Sequence, residues 1–61
     1  MKEQVITEIE KRIKDNIKKG IMYLNKMDID PEYSKYYEKE YLFHQHIVLE
    51  LQDLLTKVKE L

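Results

Sequence analysis

The chain has 61 residues, a net charge of −1 and no cysteine. A chain this short buries only about 60% of the surface of its unfolded form, so small folds often need a disulfide, a metal or a partner. The lack of cysteine excludes disulfides and thiolate zinc sites, which leaves oligomerisation as the expected source of extra stability. No apolar run approaches the roughly 18 residues of a membrane span, and the first residues lack the apolar core of a signal peptide. We therefore expect a cytoplasmic protein.

Residues 2–27 are predicted to form the first helix. Apolar residues and one glycine recur three or four positions apart, as they do on one face of a helix. The positions are Ile6, Ile9, Ile13, Ile17, Gly20, Leu24 and Met27. They occupy an arc of about 80°. A glycine inside such an arc destabilises the helix, which indicates either a bulky neighbour close to the backbone at Gly20 or a tolerated weak point of the helix.

Residues 28–30 are predicted to form the turn. Asp30 is a favourable N-cap, Pro31 suits the first position of a helix, and proline disfavours helical backbone in the residue before it. A connection this short forces the helices on either side into an antiparallel hairpin, which sets Gly20 opposite Tyr37 and Tyr41. Charge favours the same pairing, because residues 1–27 carry seven basic and four acidic side chains and residues 28–61 carry four and eight.

Residues 31–60 are predicted to form the second helix, with an apolar arc of about 160°. One neighbouring helix cannot cover an arc this wide. We therefore expect an all-α fold in which two hairpins form a homodimeric four-helix bundle. The side chains predicted at the interface between copies are Tyr37, Tyr41, His44, Val48, Leu51 and Leu55. The alternative is the other edge of the arc, formed by Phe43, Leu54 and Leu61.

Two leucines lie away from this arc. Leu42 and Leu49 are seven residues apart and fall on one side of the second helix, next to glutamines. Exposed leucines are common on protein surfaces. The pair is the candidate for a secondary docking stripe.

Two polar residues fall within the apolar arc of the second helix. Glu40 and His44 are one helical turn apart, and a buried carboxylate must be paired or protonated, so we expect them to bond to each other. Two interpretations stand: a contact that fixes the register of an assembly, or a metal or small-ligand site. The Glu-x-x-His spacing of di-iron bundles is absent, so we predict no cofactor. His46 and Glu50 form a second pair, expected to lie in solvent.

Catalytic chemistry has few residues to draw on, with no Cys, one Ser and two Thr. The sequence therefore predicts a non-enzymatic protein–protein interaction module, an adaptor or inhibitor that acts as a homo-oligomer. One alternative is a metal- or ligand-binding bundle centred on Glu40 and His44. Another is a nucleic-acid-associated factor that uses the first helix. Acidic residues interrupt the basic ones there, unlike a surface that follows phosphates.

Overall fold

A computed structural model describes all of residues 1–61 and shows an all-α hairpin. Helix α1 spans Lys2–Ile29 and helix α2 spans Ser34–Glu60, with a short 3-10 helix at Pro31–Tyr33 before α2. The particle measures 46 × 14 × 10 Å, so the two helices form a single layer one helix thick. Neither helix contains a segment that is both long enough and apolar enough to cross a membrane.

The connection between the helices is a single residue, Asp30. Helix α1 continues through Ile29, two residues beyond its predicted end, because neither Asp28 nor Ile29 interrupts a helix. Asp30 has φ −133° and ψ 74°, the extended conformation that a following proline favours. The proline therefore takes Asp30 out of the helix and ends α1 at Ile29.

The side chain of Asp30 does not cap α2, so the predicted N-cap bond is wrong. With no other residue in the connection, the backbone of Asp30 serves both helical segments. Its N–H donates to the Lys26 carbonyl at 2.8 Å, and its carbonyl accepts from the Tyr33 N–H at 3.2 Å. Its carboxylate instead accepts a long hydrogen bond of 3.4 Å from the Tyr37 hydroxyl.

The core is a narrow seam between α1 and α2. Ile9 and Val48 are its only buried hydrophobic residues. Gly20 is also buried, and a Cβ added to it would lie 3.4 Å from a ring carbon of Tyr41, which confirms the predicted close approach. The seam thus fixes the register of the hairpin but removes few side chains from water.

Ion pairs on the outer surfaces support each helix separately. Arg12 lies 3.3 Å from Glu8, and Lys57 lies 3.1 Å from Asp53. His46 and Glu50 lie 3.8 Å apart with both side chains exposed, which confirms the expected pair in solvent. Such exposed pairs, one helical turn apart, contribute only about 0.3–0.5 kcal/mol each.

Candidate functional site

The hairpin exposes more surface than its mass predicts. Its accessible area is 5118 Å². A compact single chain of this mass exposes about 4250 Å². The excess of about 870 Å² is close to the area of about 800 Å² that each partner contributes to a typical protein–protein interface. The exposed apolar side chains divide between the two sides of the hairpin layer.

On one side, large side chains follow the outer edge of α2. Steps of 100° per residue place them in one line, and each is at least 46% exposed. We name this line the aromatic stripe: Tyr36, Phe43, Leu54 and Leu61. The groove beside it has a volume of about 400 Å³ and includes the charged side chains of Glu8 and Arg12. Three of the four residues are those of the alternative interface edge predicted from the sequence.

On the other side, both helices contribute exposed aliphatic side chains. We name this surface the aliphatic face: Ile17, Ile21, Leu24, Leu42 and Leu49. Its members are between 40% and 58% exposed. The groove along this side has a volume of about 240 Å³, and all eight residues that line it are uncharged. Leu42 and Leu49 do not line the groove, but steps of 100° per residue place both beside Gln45, which does. The leucines of the predicted docking stripe thus border the groove that three aliphatic residues of α1 line.

The six side chains predicted at an interface between copies lie at the seam with α1 instead. Val48 is 9% exposed, and the other five are half-buried. Tyr41 covers Gly20, and Leu51 lines a groove together with Ile9. This edge of the wide arc is the one that α1 covers, because α2 is rotated so that His44 and Tyr41 face α1. Tyr41 and Val48 also line the groove of the aliphatic face, but the exposed apolar side chains on either side of the hairpin are other residues.

Glu40 and His44 do not bond to each other, so that prediction is wrong. Nδ1 of His44 lies 2.8 Å from Oδ1 of Asn16 on α1, and Glu40 has no side-chain hydrogen bond. The Asn16 amide is oriented by its Nδ2, which donates to the Arg12 carbonyl at 2.8 Å. Its oxygen therefore accepts, and Nδ1 of His44 carries the proton. This contact fixes the register of the hairpin from inside one chain.

Aromatic rings surround the His44 contact on the side towards the turn. The ring of Tyr23 stacks on His44 at 5.8 Å and lies 6.2 Å from that of Tyr37. The Lys26 ammonium lies 5.7 Å and 5.9 Å from the Tyr23 and Tyr37 ring centres, within cation–π range. Desolvation, and then the negative charge of Asp30, raise the pKa of the Tyr37 hydroxyl. The cluster therefore anchors the half of the seam next to the turn.

Asn16 and Tyr23 are the contact residues that the sequence analysis missed. Both lie at the edge of the α1 apolar arc. Asn16 and His44 lie at equal distances along the chain from the connection at Asp30, which is the signal that relates them. When each helix is considered alone, a polar residue at the edge of its apolar arc does not indicate which residue of the other helix it contacts.

The ionisable side chains of the hairpin are dispersed. No three His, Asp or Glu side chains come close enough together to hold a metal ion. No protein-family model matches the chain, and no curated protein or solved structure shows significant similarity to it. The two apolar sides of the layer are therefore the most distinctive surfaces from which a function can be argued.

Proposed function

We propose that this protein is a non-enzymatic protein–protein interaction module that works as a homodimeric four-helix bundle in the cytoplasm. The observation that carries the proposal is the excess of exposed surface on a chain with only two buried hydrophobic residues. A domain with so small a seam gains little from burial on its own. A partner that covers one side of the layer supplies the missing core.

The areas support a dimer of the obligate class. Two separate hairpins of 5118 Å² each expose about 10,200 Å² together. A compact particle of twice the mass exposes about 7000 Å². Complete packing would thus bury about 3200 Å², within the range of about 2000–5000 Å² found for obligate homodimers. A four-helix bundle is the simplest way in which two hairpins reach that burial.

Two apolar sides suit a module that binds both itself and another protein. If one side is covered by the second copy, the other side stays on the surface of the bundle. Exposed aromatic and aliphatic side chains in line along one helix are the type of surface that a second amphipathic helix binds. The adaptor or inhibitor activity that we propose rests on this outer side.

The test is sedimentation velocity on the untagged chain over a micromolar range, together with thermal unfolding at the same concentrations. We expect a particle of about twice 7.5 kDa and a melting temperature that rises with concentration, because association stabilises the folded state by mass action. A stable monomer whose melting temperature does not change with concentration would contradict the proposal. Dynamic light scattering then excludes open-ended aggregation as the source of a larger mass.

A further inference from the structure

The aliphatic face has the spacing that self-recognition requires. In an interface with two-fold symmetry, a residue i that contacts residue j of the partner implies the reverse contact from j to i. On α2, Leu42 and Leu49 lie equally far from the point between Gln45 and His46. An antiparallel second α2 with its centre at this point would set each leucine opposite the other leucine of the partner.

The register of the hairpin shows which residue of α1 lies beside the midpoint of Leu42 and Leu49 on α2. Asn16 contacts His44 and Gly20 contacts Tyr41, so residues whose numbers add up to 60 or 61 lie level with each other. The α1 residue that lies level with the point between Gln45 and His46 is therefore Asp15.

Four aliphatic residues of α1 are arranged symmetrically about that same level, whereas Ile21 falls opposite Ile9, which is buried in the seam. Ile13 and Ile17 lie two residues on either side of Asp15, and Ile6 and Leu24 lie nine residues on either side. All four fall on the α1 edge that borders the aliphatic face. A single two-fold axis thus places the leucines of α2 opposite the leucines of the partner's α2, and these aliphatic residues of α1 opposite those of the partner's α1.

We infer that two copies of the chain pair through the aliphatic face, with a two-fold axis that runs parallel to the layer and passes α2 between Gln45 and His46 and α1 at Asp15. The inference rests on the proposed homodimer and specifies its interface. Each α2 lies antiparallel to the α2 of the partner, and each α1 lies antiparallel to the α1 of the partner. Packing two hairpins into one compact bundle through this face would bury about 1600 Å² per chain, the burial expected of an obligate homodimer.

Electrostatics favour this side over the aromatic stripe. No charged residue lines the groove of the aliphatic face, whereas Glu8 and Arg12 line the groove beside the stripe. Burying charged groups costs free energy unless they are paired with good geometry. Steps of 100° per residue place two exposed carboxylates, Glu10 and Glu38, on this side of the hairpin, although neither lines the groove.

Gln45 is the polar residue at the centre of the interface. It lines the groove and lies next to the axis, where it meets Gln45 of the partner. A carboxamide both donates and accepts hydrogen bonds, so two copies related by a two-fold axis can satisfy each other. The aromatic stripe then remains on the outside of the bundle.

The first experiment compares two exposed leucines of α2. Leu49→Asp places a carboxylate in the aliphatic face of both copies, and we expect the dissociation constant of the dimer to rise by about 100-fold or more. Leu54→Asp makes the same change in the aromatic stripe and should leave the dissociation constant within about threefold. Sedimentation at several concentrations measures both constants, and circular dichroism checks that both variants remain helical.

The second experiment uses the absence of cysteine from the chain. In the Gln45→Cys variant the two thiols lie next to the axis, and mild oxidation should link most of the dimer covalently. In the matched Gln52→Cys variant the thiols lie about 20 Å apart along the antiparallel helices, well beyond disulfide reach. We expect little or no linked product from the second variant.

The outcomes separate this inference from the proposed function. A dimer that Leu54→Asp weakens as much as Leu49→Asp, or that Gln45→Cys fails to link, overturns the inferred interface and leaves the homodimer standing. A dimer linked equally well through Gln52→Cys also overturns it. A monomeric wild-type chain overturns both proposals.

Discussion

Gly20 offers the sharpest test of the packing at the seam. A methyl group in the Gly20→Ala variant would lie 3.4 Å and 3.7 Å from two ring carbons of Tyr41, which is van der Waals contact without overlap. Alanine is more favourable than glycine in a helix interior by about 0.8–1.0 kcal/mol. We therefore expect Gly20→Ala to raise the free energy of unfolding by about 0.5–1 kcal/mol, although the glycine lies under a bulky ring.

The assay is urea unfolding followed by circular dichroism at 222 nm, at one fixed protein concentration. Gly20→Val is the matched variant, because its branched side chain crowds the Tyr41 ring and should cost about 1–3 kcal/mol. Asn25→Ala at an exposed position of α1 measures the gain from helix propensity without any contact. If Gly20→Ala destabilised the protein, or if Gly20→Val were as stable as Gly20→Ala, the reasoning from this contact would be refuted.

Three further predictions concern the polar and aromatic contacts. Asn16→Ala removes the acceptor for His44 and should lower the free energy of unfolding by about 0.5–1.5 kcal/mol. The control Asn25→Ala should not lower it. Equal effects of the two variants in urea titrations would contradict the role of this bond. Because the pKa of Tyr37 is raised in the folded state, its contribution to stability is fully present below about pH 10 and is lost as the pH rises through the folded-state pKa. Melting temperatures measured at increasing alkaline pH should show this loss in the wild type and less of it in Tyr37→Phe, and identical profiles would count against it. Glu40→Gln should change stability by no more than about 0.5 kcal/mol, because the carboxylate has no hydrogen-bond partner; a larger loss in thermal melts would indicate a contact that the hairpin alone lacks.

The architecture of the hairpin follows from local signals in the sequence. The repeat of apolar residues predicts both helices, and Pro31 places the break correctly, since its effect on Asp30 is a steric property of the two residues. The end of α1 and the cap of α2 were predicted less well. Both depend on how one residue divides its backbone hydrogen bonds between two helices, and side-chain preferences at Asp30 do not determine that division.

The location of the open apolar surface was harder to predict. Arc widths show that α2 has more apolar surface than α1 covers, but they do not show which edge stays open. That choice depends on the rotation of α2 about its own axis. The rotation is fixed by two contacts between the helices, Gly20 with Tyr41 and Asn16 with His44, and neither partner alone identifies the other. The six side chains predicted at the interface lie largely on the edge that α1 covers, and their contact with a second copy stays a prediction.

The position of the aromatic cluster near the turn also determines how the hairpin opens. Tyr23 and Tyr37 close a loop of only 14 residues, whereas Lys2 and Lys59 at the far end are 57 residues apart. Loop-closure entropy makes the far contact costlier by about 1.2 kcal/mol. The chain ends are held there by one exposed hydrogen bond, from the Lys2 ammonium to the Lys59 carbonyl, and the nearest buried side chain of α1, Ile9, lies seven residues further along the helix. Unfolding of a single hairpin thus begins where the two chain ends meet and reaches the tyrosines last, so the ends are the first segments open to hydrogen exchange and to proteases.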